Sequence, residues 1–428
     1  MTATLTRLQQ HGFLRQVPEG MPVDTYLREL PGWLDEQDAA FHSRMVREHS
    51  LLQLEYNVVC ANLAAGFSRE SSSASVLRPG VEAALAIAEM LRRLYRDHLG
   101  AKSELKRLND DILLYRRLLE CAGYDLGAAE VDAPEDYSGL TGIARTLFSH
   151  GNWARLMTGR ARRVLIAVSE FGRGVGQFSK WVAKVDKGLG PAMAWIGFLY
   201  FIPRFLANSL LLIRHLVPGS WMPETEKQID FGSRVLGQMQ RRGLEFFNDA
   251  AWLPTGILSC FVLIGALGPA GAYLTFAMFV YDVLAAAIRA LYECLRLKRL
   301  WDAYAAIEAR TEEEQEELES LKDGLRSRCK LELVRLGSSV LQTLLLAGVM
   351  VLLLPAFTAN PLLALIGASL VLMVTSLAWM VDNWLKTQAS IPDMRPLDTE
   401  SARSRFSFFA GSESASPSPA ETFPCPAF

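Results

Sequence analysis

Apolar residues gather into four blocks in the second half of the chain, at about 250–268, 271–290, 336–355 and 361–381. Each approaches the roughly 20 residues that an α-helix needs to cross a hydrocarbon core of about 30 Å. Backbone polar groups in hydrocarbon must be satisfied within their own segment, so these blocks are predicted as helices. Trp252, Trp379 and Trp384 fall near their ends, where interfacial aromatics collect. Gly268-Pro269-Ala270-Gly271 separates the first pair with almost no loop, and 355–361, PAFTANP, separates the second. The pattern therefore predicts two transmembrane hairpins, over 250–290 and 336–385. A fifth apolar stretch, 189–216 within a region 188–249, carries Pro203-Arg204 at its middle. An arginine at the centre of a span costs about 2.5–3.5 kcal/mol. Two half-helices re-entering from one side are expected there, with a fifth full span as the alternative.

The N-terminal 1–135 follow a different rule. From Ala84 through Ile87, Leu91, Leu94 and His98 to Ala122, apolar or small residues recur in steps of three and four. Met45, His49, Leu52, Tyr56, Val59 and Leu63 do the same. Helices are predicted over 34–66 and 80–122, joined by SRESSSASVLRPG, with Pro79 opening the second. They are expected to form an antiparallel hairpin, each seam either burying the other or receiving a partner. Residues 291–335 are also helical in pattern. Thr311 with Glu314 matches a capping box, which makes Arg310-Thr311 the tip of a second cytoplasmic hairpin. Its limbs are expected to stand roughly 25–30 Å off the membrane, at 1.5 Å per residue, and to continue into the transmembrane helices. That fold would bring Cys294 near Cys329.

Between these regions, 136–187 combine an apolar stripe, Val164 to Val185, with a cluster of positive charge. Such a helix is suited to lying in the headgroup plane, where Lys and Arg attract anionic lipid. The interface candidates are Arg160, Arg162, Arg163, Phe171, Arg173, Phe178, Lys180, Trp181 and Lys184. Packing of the stripe on the helical domain is the other reading. Gly172, Gly174 and Gly176 form a G-x-G-x-G, but no strand precedes it and no G-K-S/T follows.

Charge then orients the chain. Both hairpin turns are uncharged, whereas Arg241, Arg242, Arg296, Lys298, Arg299, Arg326, Arg328, Lys330 and Arg335 lie in the other connections. The positive-inside rule puts those connections in the cytoplasm. Within the membrane, Arg204, Asp282 and Arg289 are the polar candidates, since buried ionisable groups there tend to be functional. Asn248-Asp249 reads as a helix cap. The formal net charge of -2 gives no reason to expect a nucleic-acid partner. Six scattered cysteines form no C-x-x-C, and catalytic or metal-binding motifs are missing, so no enzyme, cofactor or metal is expected. The first residues hold no apolar core of signal-peptide length. The Ser/Pro-rich 386–428 are expected to be disordered. The expectation is an all-α, multi-pass integral membrane protein.

Pro218-Gly219-Ser220-Trp221, Asn248-Asp249, Trp252, Gly265, Gly268-Pro269 and Asp282 carry one further signal. The region around them resembles an uncharacterised multi-pass membrane-protein family of intracellular gammaproteobacteria. The resemblance implies a bacterial origin and delivery into a host by type IV secretion, hence a bacterial inner membrane or a host-cell membrane. It implies no activity. From the residues, the expected function is a membrane-anchored interaction scaffold. Its expected partners are anionic lipids and either an unidentified protein or a second copy through the helical seams. A small-solute or ion transporter using Asp282 and Arg289 is the alternative.

Overall fold

The computed structural model describes residues 2–18, 20–68, 74–128, 138–172, 176–263, 267–309 and 312–389. Among these residues the protein is helical, with no strand. The first five helices are α1 (Ala3–Gln10), α2 (Val23–Asp35), α3 (Ala39–Ser68), α4 (Ala74–Arg93) and α5 (Lys102–Cys121). Two long helices follow, α6 (Ser138–Phe171) and α7 (Gly176–Leu216). Short α8 (Glu224–Lys227) and α9 (Phe231–Gln238) lead to α10 (Leu244–Ile257). Then come α11 (Gly268–Ala305), α12 (Glu312–Leu352), α13 (Pro355–Thr358) and α14 (Pro361–Ala389).

Helices α1–α5 form a head. The expected helix over 80–122 is divided: a π-helical turn, Leu94–Leu99, ends at Gly100 with φ of 58°. The Tyr95 carbonyl accepts from Ala101 N–H at 3.1 Å, closing the turn as a left-handed cap does. A heptad count cannot register this, because the seam residues on both sides still face the core. The first predicted helix is likewise α2 and α3, with Asp38 Oδ1 accepting from Phe41 N–H at the new start.

The limbs of the 291–335 hairpin do continue into the apolar helices, as α11 and α12, and the tip at Arg310-Thr311 lies outside the described residues. They do not stand free, however. Leu297, Leu300, Tyr304, Leu318, Leu321 and Leu325 are buried in one apolar core with Leu8, Tyr56 and Leu63 of the head. A polar knot fastens the same joint. Glu55 of α3, fully buried, accepts both from the Arg7 guanidinium of α1 and from the Tyr304 hydroxyl of α11, the latter at 2.7 Å. Thr4 shares a hydrogen bond with the same hydroxyl at 3.1 Å. Cys294 and Cys329 are free thiols.

Three helices are long and apolar enough to cross a membrane: Pro269–Ala305, Glu314–Leu352 and Pro361–Gln388. The expected fourth, 250–268, is helical as far as Val262, and 264–266 lie outside the described residues. Pro254 sits inside α10, and the chain changes to a π turn at Leu258–Val262, where Leu263 N–H reaches back five residues to the Leu258 carbonyl. Conversely, the break expected at Pro203-Arg204 is absent: α7 runs unbroken through both. Proline removes one intrahelical hydrogen bond, and packing against α10 holds the helix together around it.

Candidate functional site

The stripe from Val164 to Val185 is shared by two helices rather than carried on the one expected. The chain divides between Phe171 and Gly176, and α6 and α7 pack side by side. Arg162 of α6 reaches Asp186 of α7 at 2.5 Å. Its guanidinium lies over Gly190, where a Cβ would come within 2.6 Å of it and the guanidinium would have to shift. Helix α6 also lies along α14: the Trp153 and Trp379 rings are 5.0 Å apart, and Arg160 donates to the Thr375 hydroxyl. Farther along, Ile166, Ala167 and Glu170 adjoin Leu353, Thr358 and Ala364 around the second hairpin turn.

Helix α7 is antiparallel to α10. Trp195 meets Phe261 at 5.1 Å, Phe205 meets Phe246 at 5.6 Å, and Arg204 binds both carboxylate oxygens of Asp249. Asp249 is fully buried, so it is the counter-ion of Arg204 rather than the helix cap its position suggested. Next in line, Trp252 donates its indole N–H to Asp282 of α11 at 3.1 Å. Tyr281 donates to the Phe247 carbonyl at 3.1 Å.

These pairings leave a cavity of about 620 Å³ among α6, α7, α10, α11, α12 and α14. Its ionisable lining is Arg155, Arg160, Arg162, Arg163, Arg204 and Asp282. Gln342 and Thr343 of α12 add polar groups, and Phe201, Phe279 and Leu346 close apolar sides. Arg155 and Arg204 each lie over the Phe201 ring, at 5.9 and 5.8 Å. Arg204 and Asp282, read separately as polar candidates, are thus brought together, and three of the basic interface candidates join them. Each of the three also has a contact on another helix: Arg160 with Thr375 of α14, Arg162 with Asp186 of α7 and Arg163 with Met350 of α12.

The remaining candidates go elsewhere. Phe171, Lys180, Trp181 and Lys184 are exposed, with Phe178 and Trp181 stacked at 6.4 Å. Arg173 lies outside the described residues. Arg289 is exposed and does not join Asp282: it borders a separate cavity of about 400 Å³ with Glu293, Arg296, Glu332, Arg335 and Asp382. Sequence reasoning missed Arg155, Asp186 and the role of Asp249. One signal was available for the last: Arg204 and Asp249 are opposite charges, each set in an otherwise apolar run. Among the described residues no group of three or more His, Cys, Asp or Glu is placed to hold a metal ion. No family model, curated protein or solved structure matches the chain, so its functional reading rests on this geometry.

Proposed function

We propose that the protein is a multi-pass membrane transport protein whose solute occupies the arginine-lined cavity, with the helical head held on the cytoplasmic side. The observation that carries this reading is convergence. Charged side chains from α6, α7 and α11 line one cavity, while the outer faces are apolar. Leu284, Ile288 and Leu291 of α11, Met373 and Met380 of α14, and Leu199 and Leu206 of α7 are all exposed. An apolar exterior of that extent is what lipid covers, and ionisable groups inside it ordinarily mark a solute path.

The same contacts support a layout of three helix pairs. From Trp153, beside Trp379, to Glu170, beside Thr358, α6 advances about 26 Å, close to a full crossing. Helix α7 returns, and α10 with α11 and α12 with α14 repeat the motion. Six crossings put the head and residue 389 on one face, without the re-entrant segment. The exposed Phe171, Lys180, Trp181 and Lys184, with the half-buried Phe178, then serve as an interfacial anchor at the opposite face. A scaffold would need seams open to a partner, and of these the 291–335 limbs bury Leu297, Leu300, Leu318 and Leu325 against the head.

Proteoliposomes loaded in turn with chloride, sulfate, phosphate and glutamate test the reading. The expected result is efflux of at least one above protein-free vesicles, changed about tenfold or more by Asp282→Asn, on the scale of a charge lost from a half-buried site. Efflux of none of the four, or efflux untouched by Asp282→Asn, refutes it.

A further inference from the structure

We infer that the cavity binds a phosphate group, held by Arg160 and Arg163 of α6. The inference rests on the cavity reading above, and it requires binding rather than transport. Five guanidinium groups line the cavity against one carboxylate. Two of the five are neutralised within the fold, Arg162 by Asp186 and Arg204 by Asp249. Asp282 receives the Trp252 indole. The contacts recorded for Arg160 and Arg163 are neutral: the Thr375 hydroxyl for the first, the Met350 sulfur at 4.0 Å for the second.

Positions three apart on a helix hold their side chains about 5–6 Å from each other, where like charges repel. A guanidinium cannot shed its proton, and Arg160, half-buried, and Arg163, open at the cavity rim, present two neighbouring positive charges with no carboxylate beside them, which favours an anion between them. The ligand's charge follows from theirs. A carboxylate neutralises one guanidinium; a phosphate monoester or inorganic phosphate, carrying about -1.5 to -2 near pH 7, neutralises both. Its oxygens also suit the planar donor fork of arginine. Leu346 and Val371 beside the pair leave an apolar wall for the organic part of an ester. The phosphate has two possible sources, free phosphate in water and the headgroup of phosphatidic acid in the bilayer.

The full chain, purified in phosphate-free detergent, is titrated calorimetrically with sodium phosphate and with sodium acetate at matched ionic strength. In parallel, retention of phosphatidic acid against phosphatidylcholine is measured by native mass spectrometry after reconstitution in mixed vesicles. Saturable binding of phosphate, or selective retention of phosphatidic acid, is expected, and which of the two occurs names the source. Arg160→Gln with Arg163→Gln should weaken that binding about tenfold or more, as expected for lost charge-assisted hydrogen bonds. Arg289→Gln, at the exposed site, should leave it within about twofold, in keeping with a screened surface charge. Binding no better than acetate and phosphatidylcholine overturns the inference, as does wild-type binding in the double variant or equal weakening by Arg289→Gln. If the double glutamine chain is not monodisperse, Arg160→Lys with Arg163→Lys replaces it. That pair keeps the charge and loses the fork, so binding should weaken about threefold or more, and wild-type affinity overturns the inference. Binding without efflux of any solute would refute transport and leave the phosphate site standing; efflux without binding would do the reverse.

Discussion

Replacing Glu55 by alanine tests whether the head is welded to the membrane helices. Glu55 is fully buried, and its carboxylate is the shared acceptor of Arg7 and Tyr304. Arg7 is itself only 1 % exposed, so the substitution strands a guanidinium that water cannot reach. Breaking a buried pair by removing one partner costs about 3–5 kcal/mol. The loss falls at the joint of α1, α3 and α11, so it should appear first as local opening. At 1.36 kcal/mol per factor of ten, 3 kcal/mol raises the opening constant by about 150-fold. Hydrogen exchange of the full chain in detergent, followed by mass spectrometry, reads this directly. Peptides over α1 and over 297–305 should exchange about 100-fold faster or more, while peptides of α14 should not change. Arg7→Met combined with Glu55→Leu removes both charges and should recover most of the protection, because an apolar pair of similar volume is often neutral or stabilising. Acceleration of less than about tenfold in Glu55→Ala would mean that the pair contributes under about 1.4 kcal/mol, and the welded joint would be refuted.

Acid should loosen the same head. His49 and His98 are buried, and burial, the largest cause for each, lowers both from 6.5 to about 4, aided at His98 by its neighbour His42. The folded head therefore keeps them neutral while the unfolded chain takes up protons, so stability present above pH 6.5 is lost as pH falls towards 4. The loss reaches about 3 kcal/mol for each histidine, and thermal melts of His49→Gln with His98→Gln should be flatter than wild type between those pH values; equal slopes would count against this account. Gly100→Ala places a Cβ at φ of 58° and 3.1 Å from His215 Cε1. It should destabilise the chain by about 1–2 kcal/mol from the backbone alone, seen as a lowered denaturation midpoint, and an unchanged midpoint would contradict the left-handed cap.

How much was legible depends on what each pattern measures. Helix content, the uncharged turns at Gly268-Pro269 and 355–361, and the passage of both stalk limbs into apolar helices follow from hydropathy and capping, which are local. The π turn after Pro254 and the reversal at Gly100 depend on backbone geometry that hydropathy does not record. The basic segment shows the limit most clearly. Six cationic candidates beside an apolar stripe look the same whether lipid headgroups or protein lie opposite. Arg162 and Asp186 are 24 residues apart, and Arg204 and Asp249 are 45 apart. Only the folding of α6 on α7, and of α7 on α10, turns them into pairs. Arg162 of α6 finds its carboxylate on α7, and Arg204 of α7 finds its own on α10.

Helices α11 and α12 belong to the head and to the cavity at once. Tyr304 of α11 ends in the knot at Glu55, and Asp282 of the same helix lines the cavity. The 22 residues between them make about 33 Å of continuous helix. Helix α12 repeats the arrangement, with Leu318 and Leu325 in the head core and Gln342 and Leu346 at the cavity wall. Neither helix contains a proline within those stretches, but α12 has the Gly337-Ser338 pair, a usual place to kink, and α11 has none. A tilt of α11 that widens the cavity must therefore displace its far end against the buried core. Widening costs more while the core is intact, and Glu55→Ala should lower that cost as well as the stability of the joint. An effect of Glu55→Ala on solute efflux, about 33 Å from the substitution, would tie the head to the cavity through α11. Efflux unchanged in a chain whose α1 peptides exchange 100-fold faster would separate the two.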